Sequence, residues 1–170
     1  KSGGTTISYL RFGPKPIKAP YLIVEADYIA CHNPAFVNNY DLLADIKEGG
    51  VFVLNCPWSE AELEEHLPNS LKRALAERKV RFYTINAIDI AGKLGLGNRI
   101  NMVMQAAFFK LAEVIPVDEA LGYLKEAVHT LYGHKGDDIV QMNLDAIDQG
   151  ATALKQISIP EAWAQLSSER

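Results

Sequence analysis

Apolar positions along the chain follow two rhythms that meet near Gly97. In the first half, short apolar runs alternate with stretches of helical character. Residues 28–32, 51–56 and 81–85 read as β-strands, and each leads into helix: from Pro34 to about Lys47, then residues 61–67 with a second segment 70–78, then residues 87–94. Residues 5–12, rich in Thr, Ile, Tyr and Phe, read as an earlier strand, closed by GPKPIKAP, whose Pro14, Pro16 and Pro20 forbid regular structure. In the second half Ile100, Val103, Met104, Ala107, Phe108, Leu111, Val114 and Ile115 recur at helical spacing, so one long amphipathic helix is expected until Pro116 breaks it. Helices over residues 117–132 and 137–154 follow, separated by the GHKG of residues 133–136.

Local end signals sharpen this reading. Asn33 before Pro34 is an N-cap with proline at the first helical position, and Gly49 with Gly50 is expected to end that helix. Ser59 three residues before Glu62 makes a capping box, and Pro68 stops the helix that it starts. The alternation predicts an α/β fold, three-layer α/β/α with a largely parallel sheet and a helical C-terminal half. If the three strands are parallel, Asn33, Asn55 and Asn86 meet at one sheet edge, where open α/β folds bind ligands.

Composition narrows the function classes. With 170 residues, 48% hydrophobic and 22% charged, the chain can bury a sizeable core and is a single globular domain by length, with no repeat or linker to divide it. A net charge of -4 with evenly scattered Lys and Arg argues against nucleic-acid binding. Apolar runs such as residues 51–54 and 106–109 are far shorter than the roughly 20 residues needed to cross a bilayer, so no membrane partner is expected. Cys31 and Cys56 lie in or at the end of strands, as buried reduced thiols of a cytoplasmic protein do. Two thiolates are too few for an iron–sulfur cluster. Lys1 opens the chain without a methionine, and KSGGTT reads as the middle of something longer, so an excised piece is expected. Residues 157–163, ISIPEAW, set Ile157, Ile159 and Trp163 around a proline; they form either an arm seeking a partner surface or one folded back on its own domain.

Candidate chemistry is that of binding. Asn33 and Asn86 precede helices, and capping accounts for both. Asn55 differs, since Ser59 already caps the next helix; its amide, beside Cys56, Pro57 and Trp58, can hold a planar ligand or tie down its own turn. Lys1, Ser2, Gly3 and Gly4 combine a cation, a hydroxyl and approachable backbone, elements suited to phosphate. GLGNRIN, residues 95–101, follows a helix and carries Ile100 where a dinucleotide fingerprint needs glycine, which excludes that reading. It leaves Arg99 and Asn101 at a helix N-terminus as an anion site, or Arg99 paired with a carboxylate. Cys31 and His32 are strand neighbours pointing to opposite faces; His66, His129 and His134 have no metal-ligand spacing, so neither a catalytic constellation nor a metal site is read.

Together KSGGTTISYLRFG, ADYIACHN, VFVLNCPWS, FYTINA and GLGNRINMVMQAAFFKLA, in this order and spacing, resemble the pyruvate:ferredoxin (flavodoxin) oxidoreductase family over nearly the whole chain. The segment is similar to the middle domain of the long single-chain enzymes, equivalent to the gamma subunit of 2-oxoacid:ferredoxin oxidoreductases. The resemblance implies a gamma-type domain over residues 1–156 and an arm over residues 157–170 leading to the next domain. It implies oxidative decarboxylation of pyruvate, acetyl transfer to coenzyme A and electron passage to ferredoxin or flavodoxin. Thiamine diphosphate, Mg2+ and iron–sulfur clusters would then lie in other domains of a homodimeric enzyme, leaving the isolated piece inactive. It links this domain to coenzyme A. It also implies a glycine-rich GxGSDGT shortly before KSGG, which is absent here, so the first strand is expected to be missing. Carried onto matching positions, the ligand role falls on Lys1, Ser2 and Gly3, on Asn55, Cys56, Pro57 and Trp58, and on Arg99 and Asn101. The alternative is a non-catalytic module that braces the homodimer through Trp58, Trp163 and the apolar tail.

Overall fold

The computed structural model describes residues 7–10, 26–112 and 115–167. Lys1, Ser2, Gly3, Gly4 and the proline-rich turn lie outside the described residues, as do residues 5–6 and 11–12 of the first predicted strand. Two compact units emerge: residues up to Thr84 together with those from Lys155 onward, and Ile85–Leu154 between them. Composition gave no sign of this division, because no linker marks either passage.

The first unit is built on a sheet. Among the described residues, β1 (Ile7–Leu10), β2 (Ala26–Cys31), β3 (Ile46–Asn55), β4 (Arg81–Ile85) and β5 (Lys155–Ile157) lie side by side in sequence order. β2 and β3 run parallel, while β1 pairs antiparallel with β2, and β5 with β4. The fold is α/β. α1 (Glu60–His66) and α2 (Asn69–Glu77) cover one sheet face. Ile29 and Cys31 of β2 stand beside Phe52 and Leu54 of β3, and all four join Leu63, Leu71 and Leu75 in the core. Phe52 and Phe82 stack across β3 and β4, ring centroids 5.6 Å apart.

The helix expected from Pro34 to Lys47 is not there. A 3-10 turn, Pro34–Asn38, is followed by irregular turns, and β3 begins at Ile46. Asn38, Asn39, Tyr40 and Asp41 are weak helix formers, and the spacing of Leu42, Leu43 and Ile46 serves a buried turn instead. Arg78 holds that turn, donating from Nη1 to the carbonyls of Leu43 (2.6 Å), Ala44 (2.9 Å) and Ile46 (3.2 Å). Gly49 ends no helix; with φ 75° it shapes a bulge that leaves Ala26 opposite Ile46 but Tyr28 opposite Val51. A side chain at Gly50 would come within 2.9 Å of the Lys47 carbonyl.

The second unit is helical: α3 (Ala87–Lys93), α4 (Asn101–Ala112), α5 (Val117–Tyr132) and α6 (Asp137–Thr152). α4 packs on α5 and α6. α3 ends in a Schellman motif, Leu96 N–H donating to Ala91 O (2.8 Å) and Gly95, at φ 85°, donating to Gly92 O. Among the described residues no helix is long and apolar enough to cross a membrane.

Residues after α6 return to the first unit. β5 sets Thr84 opposite Lys155 and Phe82 opposite Ile157, and the 3-10 turn Glu161–Gln165 buries Trp163 at 4% exposure. Of the two readings of ISIPEAW, the one seen is the arm folded back.

Candidate functional site

The parallel pairing of β2 and β3 brings their C-terminal ends to one sheet edge, Cys31 beside Leu54. Asn55 follows at once, buried at 1% exposure, and its Nδ2 donates to the His32 carbonyl at 2.8 Å. The amide is therefore not the free group that the capping argument suggested; it ties the two strand ends together. Asn33 caps the 3-10 turn as expected, its Oδ1 accepting from Ala35 N–H at 3.0 Å. The Cys31 thiol donates to the Asn33 carbonyl at 3.1 Å.

Beyond Asn55 the chain surfaces. Cys56 is buried, Pro57 exposed and Trp58 half-buried, its indole stacked on the His66 imidazole with centroids 4.3 Å apart and planes 6° from parallel. Ser59 Oγ accepts from Glu62 N–H (3.3 Å), and Glu62 Oε1 accepts from Ser59 N–H (3.2 Å), which completes the capping box and fixes where α1 starts. His66 also lines a cavity of about 510 Å³, together with Tyr40, Asp41, Glu65, Asn69 and Ser70. Two loops distant in sequence build that cavity, so no local signal pointed to it.

Burial leaves the titratable groups of this edge in their neutral forms. Burial pushes the Cys31 thiol up to about 11 and raises that of Cys56, so both are protonated near neutrality. Burial also lowers His32, favouring neutral imidazole. No described group of three or more His, Cys, Asp and Glu side chains could hold a metal.

A family model described as pyruvate ferredoxin/flavodoxin oxidoreductase matches residues 1–153. The chain belongs to this family. It is 53% identical over 169 residues to the pyruvate:ferredoxin oxidoreductase of Moorella thermoacetica, covering 99% of this chain and 14% of that protein. To the pyruvate-flavodoxin oxidoreductase of Klebsiella pneumoniae it is 55% identical over 166 residues, covering 98% of this chain and 14% of that one. The chain thus spans about 14% of the length of these relatives. Among solved structures, subunit PORC of the Thermotoga maritima pyruvate oxidoreductase shares the fold at TM-score 0.63 and 12% identity, over 79% of this chain and 67% of that subunit. The 2-oxoglutarate:ferredoxin oxidoreductase of Magnetococcus marinus, solved with 2-oxoglutarate, coenzyme A and succinyl-CoA bound, aligns at TM-score 0.50 and 25% identity, over 78% of this chain and 21% of that one.

Within this pyruvate ferredoxin/flavodoxin oxidoreductase domain, the structure brings together one run of the predicted site residues, Asn55, Cys56, Pro57 and Trp58, and adds His32 and His66 to it. Lys1, Ser2 and Gly3 lie outside the described residues. Arg99 and Asn101 belong to the helical unit, as does Asn86, which caps α3 by accepting from Asp89 N–H at 3.3 Å. Arg99 Nε donates to the Leu96 carbonyl at 2.9 Å, a partner within its own loop, and Asn101 opens α4.

Proposed function

We propose that this domain takes part in holding coenzyme A in a pyruvate:ferredoxin or pyruvate:flavodoxin oxidoreductase, at the strand-end edge carrying Asn55, Cys56, Pro57 and Trp58. The observation that carries the reading is the relative of known structure with coenzyme A bound, which aligns over 78% of the chain. The chemistry of the edge supports it: a half-buried indole stacked on an imidazole gives an adenine or a pantetheine arm a flat apolar wall, and Asn55 keeps the strand ends rigid. Lys1, Ser2 and Gly3 would serve the phosphates, and Arg99 and Asn101, in the helical unit, are separate candidates for an anion contact.

The whole enzyme would decarboxylate pyruvate oxidatively on thiamine diphosphate with Mg2+, transfer the acetyl group to coenzyme A, and pass electrons through iron–sulfur clusters to ferredoxin or flavodoxin. The clusters would reside in other domains, since the two cysteines here are buried core thiols and too few to ligate one, and thiamine diphosphate with Mg2+ would lie outside this domain as well. The bracing alternative loses one of its contacts: Trp163, at 4% exposure, faces its own unit.

Calorimetric titration tests the reading, with dephospho-coenzyme A as control and Trp58→Ala as the perturbation. Saturable binding of coenzyme A is expected, weakened about tenfold for each 1.4 kcal/mol that Trp58→Ala removes. An unchanged affinity in Trp58→Ala would move the ligand off this edge. A folded chain that takes up no coenzyme A would overturn the assignment to these residues.

A further inference from the structure

Among the described residues, Lys72 is the one buried charged side chain, at 5% exposure. A buried ammonium is stable only where opposing charge and acceptors meet it. Here α1 and the returning C-terminal segment supply them. Lys72 Nζ donates to the Glu64 backbone carbonyl and lies 3.4 Å from Glu64 Oε1. It stands 5.6 Å from the centre of the Trp163 ring, within cation–π range. The other oxygen of the same carboxylate, Oε2, accepts from Trp163 Nε1–H at 2.8 Å. Glu64 is thus shared between a cation of α2 and the indole of a segment 99 residues away. Its backbone carbonyl is one of the last four of α1, which lack partners within the helix, so Lys72 also closes the end of α1.

Two residues beyond Glu64 is His66, the imidazole stacked on Trp58. One short helix therefore carries at its end both the anchor of the C-terminal segment and half of the aromatic wall of the ligand edge. That segment is held at separated points. Ile157 and Trp163 are buried and Ile159 and Leu166 pack half-buried on the same core, whereas Ser158, Pro160 and Glu161 are exposed and border a groove of about 430 Å³ against α2 and β4. An element held at a few strong points over a groove docks or releases as a unit.

We infer that residues 155–166 act as a strap, and that Trp163, Glu64 and Lys72 are positioning residues which couple its docking to the Trp58–His66 wall. With the strap docked, α1 ends where His66 meets the indole. With it released, the Lys72 ammonium loses the Trp163 ring, the Glu64 carboxylate loses its indole donor, and the end of α1 with His66 is free to shift. The ligand gated in this way is coenzyme A, and that part of the inference rests on the function proposed above.

The chain has two tryptophans, so its indole N–H NMR spectrum reports both ends of the coupling. Trp58→Phe assigns the signals, and His66 imidazole protons give a third probe. Trp163→Phe keeps an aromatic ring in the core but removes the donor to Glu64. It is expected to move the Trp58 indole and His66 signals and to weaken coenzyme A about 2- to 30-fold, the range of couplings carried by packed networks. Glu64→Gln, which keeps side-chain size, is expected to move both indole signals. Trp58 and His66 signals that superimpose on the parent spectrum in both folded variants would overturn the coupling. Moved signals in a chain that takes up no coenzyme A would uphold the strap and sink only the ligand.

Discussion

Gly150 and Gly122 make a matched pair whose replacement by alanine should act in opposite directions. Both are helical, Gly150 in α6 and Gly122 in α5. Alanine in place of glycine inside a helix gains about 0.5–1 kcal/mol by restricting the unfolded chain, and this gain is common to both sites. At Gly122 nothing lies within 4 Å of the new methyl. At Gly150 it would overlap the carbonyl oxygen of Val103 and come within 3.0 Å of the Ala106 Cβ, both on α4. The obstruction is helix backbone, which cannot rotate away, so α4 and α6 must separate, and overpacking of this kind costs about 1–3 kcal/mol. Gly122→Ala should therefore stabilise by about 0.5–1 kcal/mol. Gly150→Ala should destabilise by up to about 2.5 kcal/mol once the shared gain is subtracted from the packing cost. Urea unfolding followed by far-UV circular dichroism measures both, and thermal midpoints should shift by roughly 2–4 °C per kcal/mol in a chain of this size. A Gly150→Ala chain as stable as Gly122→Ala would refute the close approach of the two helices.

Two further outcomes are expected. Ser59→Ala removes the Oγ that accepts from the Glu62 N–H, leaving the backbone N–H of residue 59 its bond to Glu62, and should lower stability by about 1 kcal/mol, read as a lower urea midpoint at constant slope; an unchanged midpoint would show that the Ser59 side chain contributes nothing as a cap. Cys31, with its thiol raised from 9.0 to about 11, keeps its proton in the folded chain over a pH range where the unfolded chain has lost it. The unfolded state then binds fewer protons, so its contribution is fully present below pH 9.0 and is lost as pH rises through about 11. Base-induced unfolding should accordingly shift to higher pH in Cys31→Ala relative to neutral-pH stability, and rapid labelling of both thiols in the folded chain at pH 8 would contradict the burial behind it.

Features whose causes lie within a few residues were legible in the sequence. The capping box of Ser59 and Glu62 and the cap at Asn33 each need only neighbours two or three positions away, and each formed. The segment from Pro34 to Lys47 misled because Leu42, Leu43 and Ile46 mimic a helical stripe. Its turn is instead held by Arg78, whose bonds reach back 32 to 35 residues. β5 was invisible for the same reason: three residues without alternation become a strand only because β4 offers an edge. At the candidate site the run Asn55 to Trp58 stood out for an Asn55 amide thought free, whereas the structure engages that amide. Its partner, the His32 carbonyl, lies just past the end of the neighbouring strand, 23 residues earlier. His66 offered no metal-ligand spacing in the sequence, and only the fold sets it against Trp58.

The path of the chain through its two units has a consequence for modularity and for folding order. Thr84 and Lys155 are paired residues of adjacent antiparallel strands, so the helical unit leaves and rejoins the sheet at a single point, roughly 5 Å wide. In topology it is an insertion into a β-hairpin. Antiparallel neighbours need only about two residues to join them, so a short turn in place of Ile85–Leu154 would leave β4 and β5 able to pair. During synthesis the order is forced the other way: the sheet waits for β5, and with it for Trp163, until the whole helical unit has been made. A helical unit that folds promptly brings its two ends together and shortens that wait, because closing a compact insert loses less chain entropy than closing a loose loop of the same length.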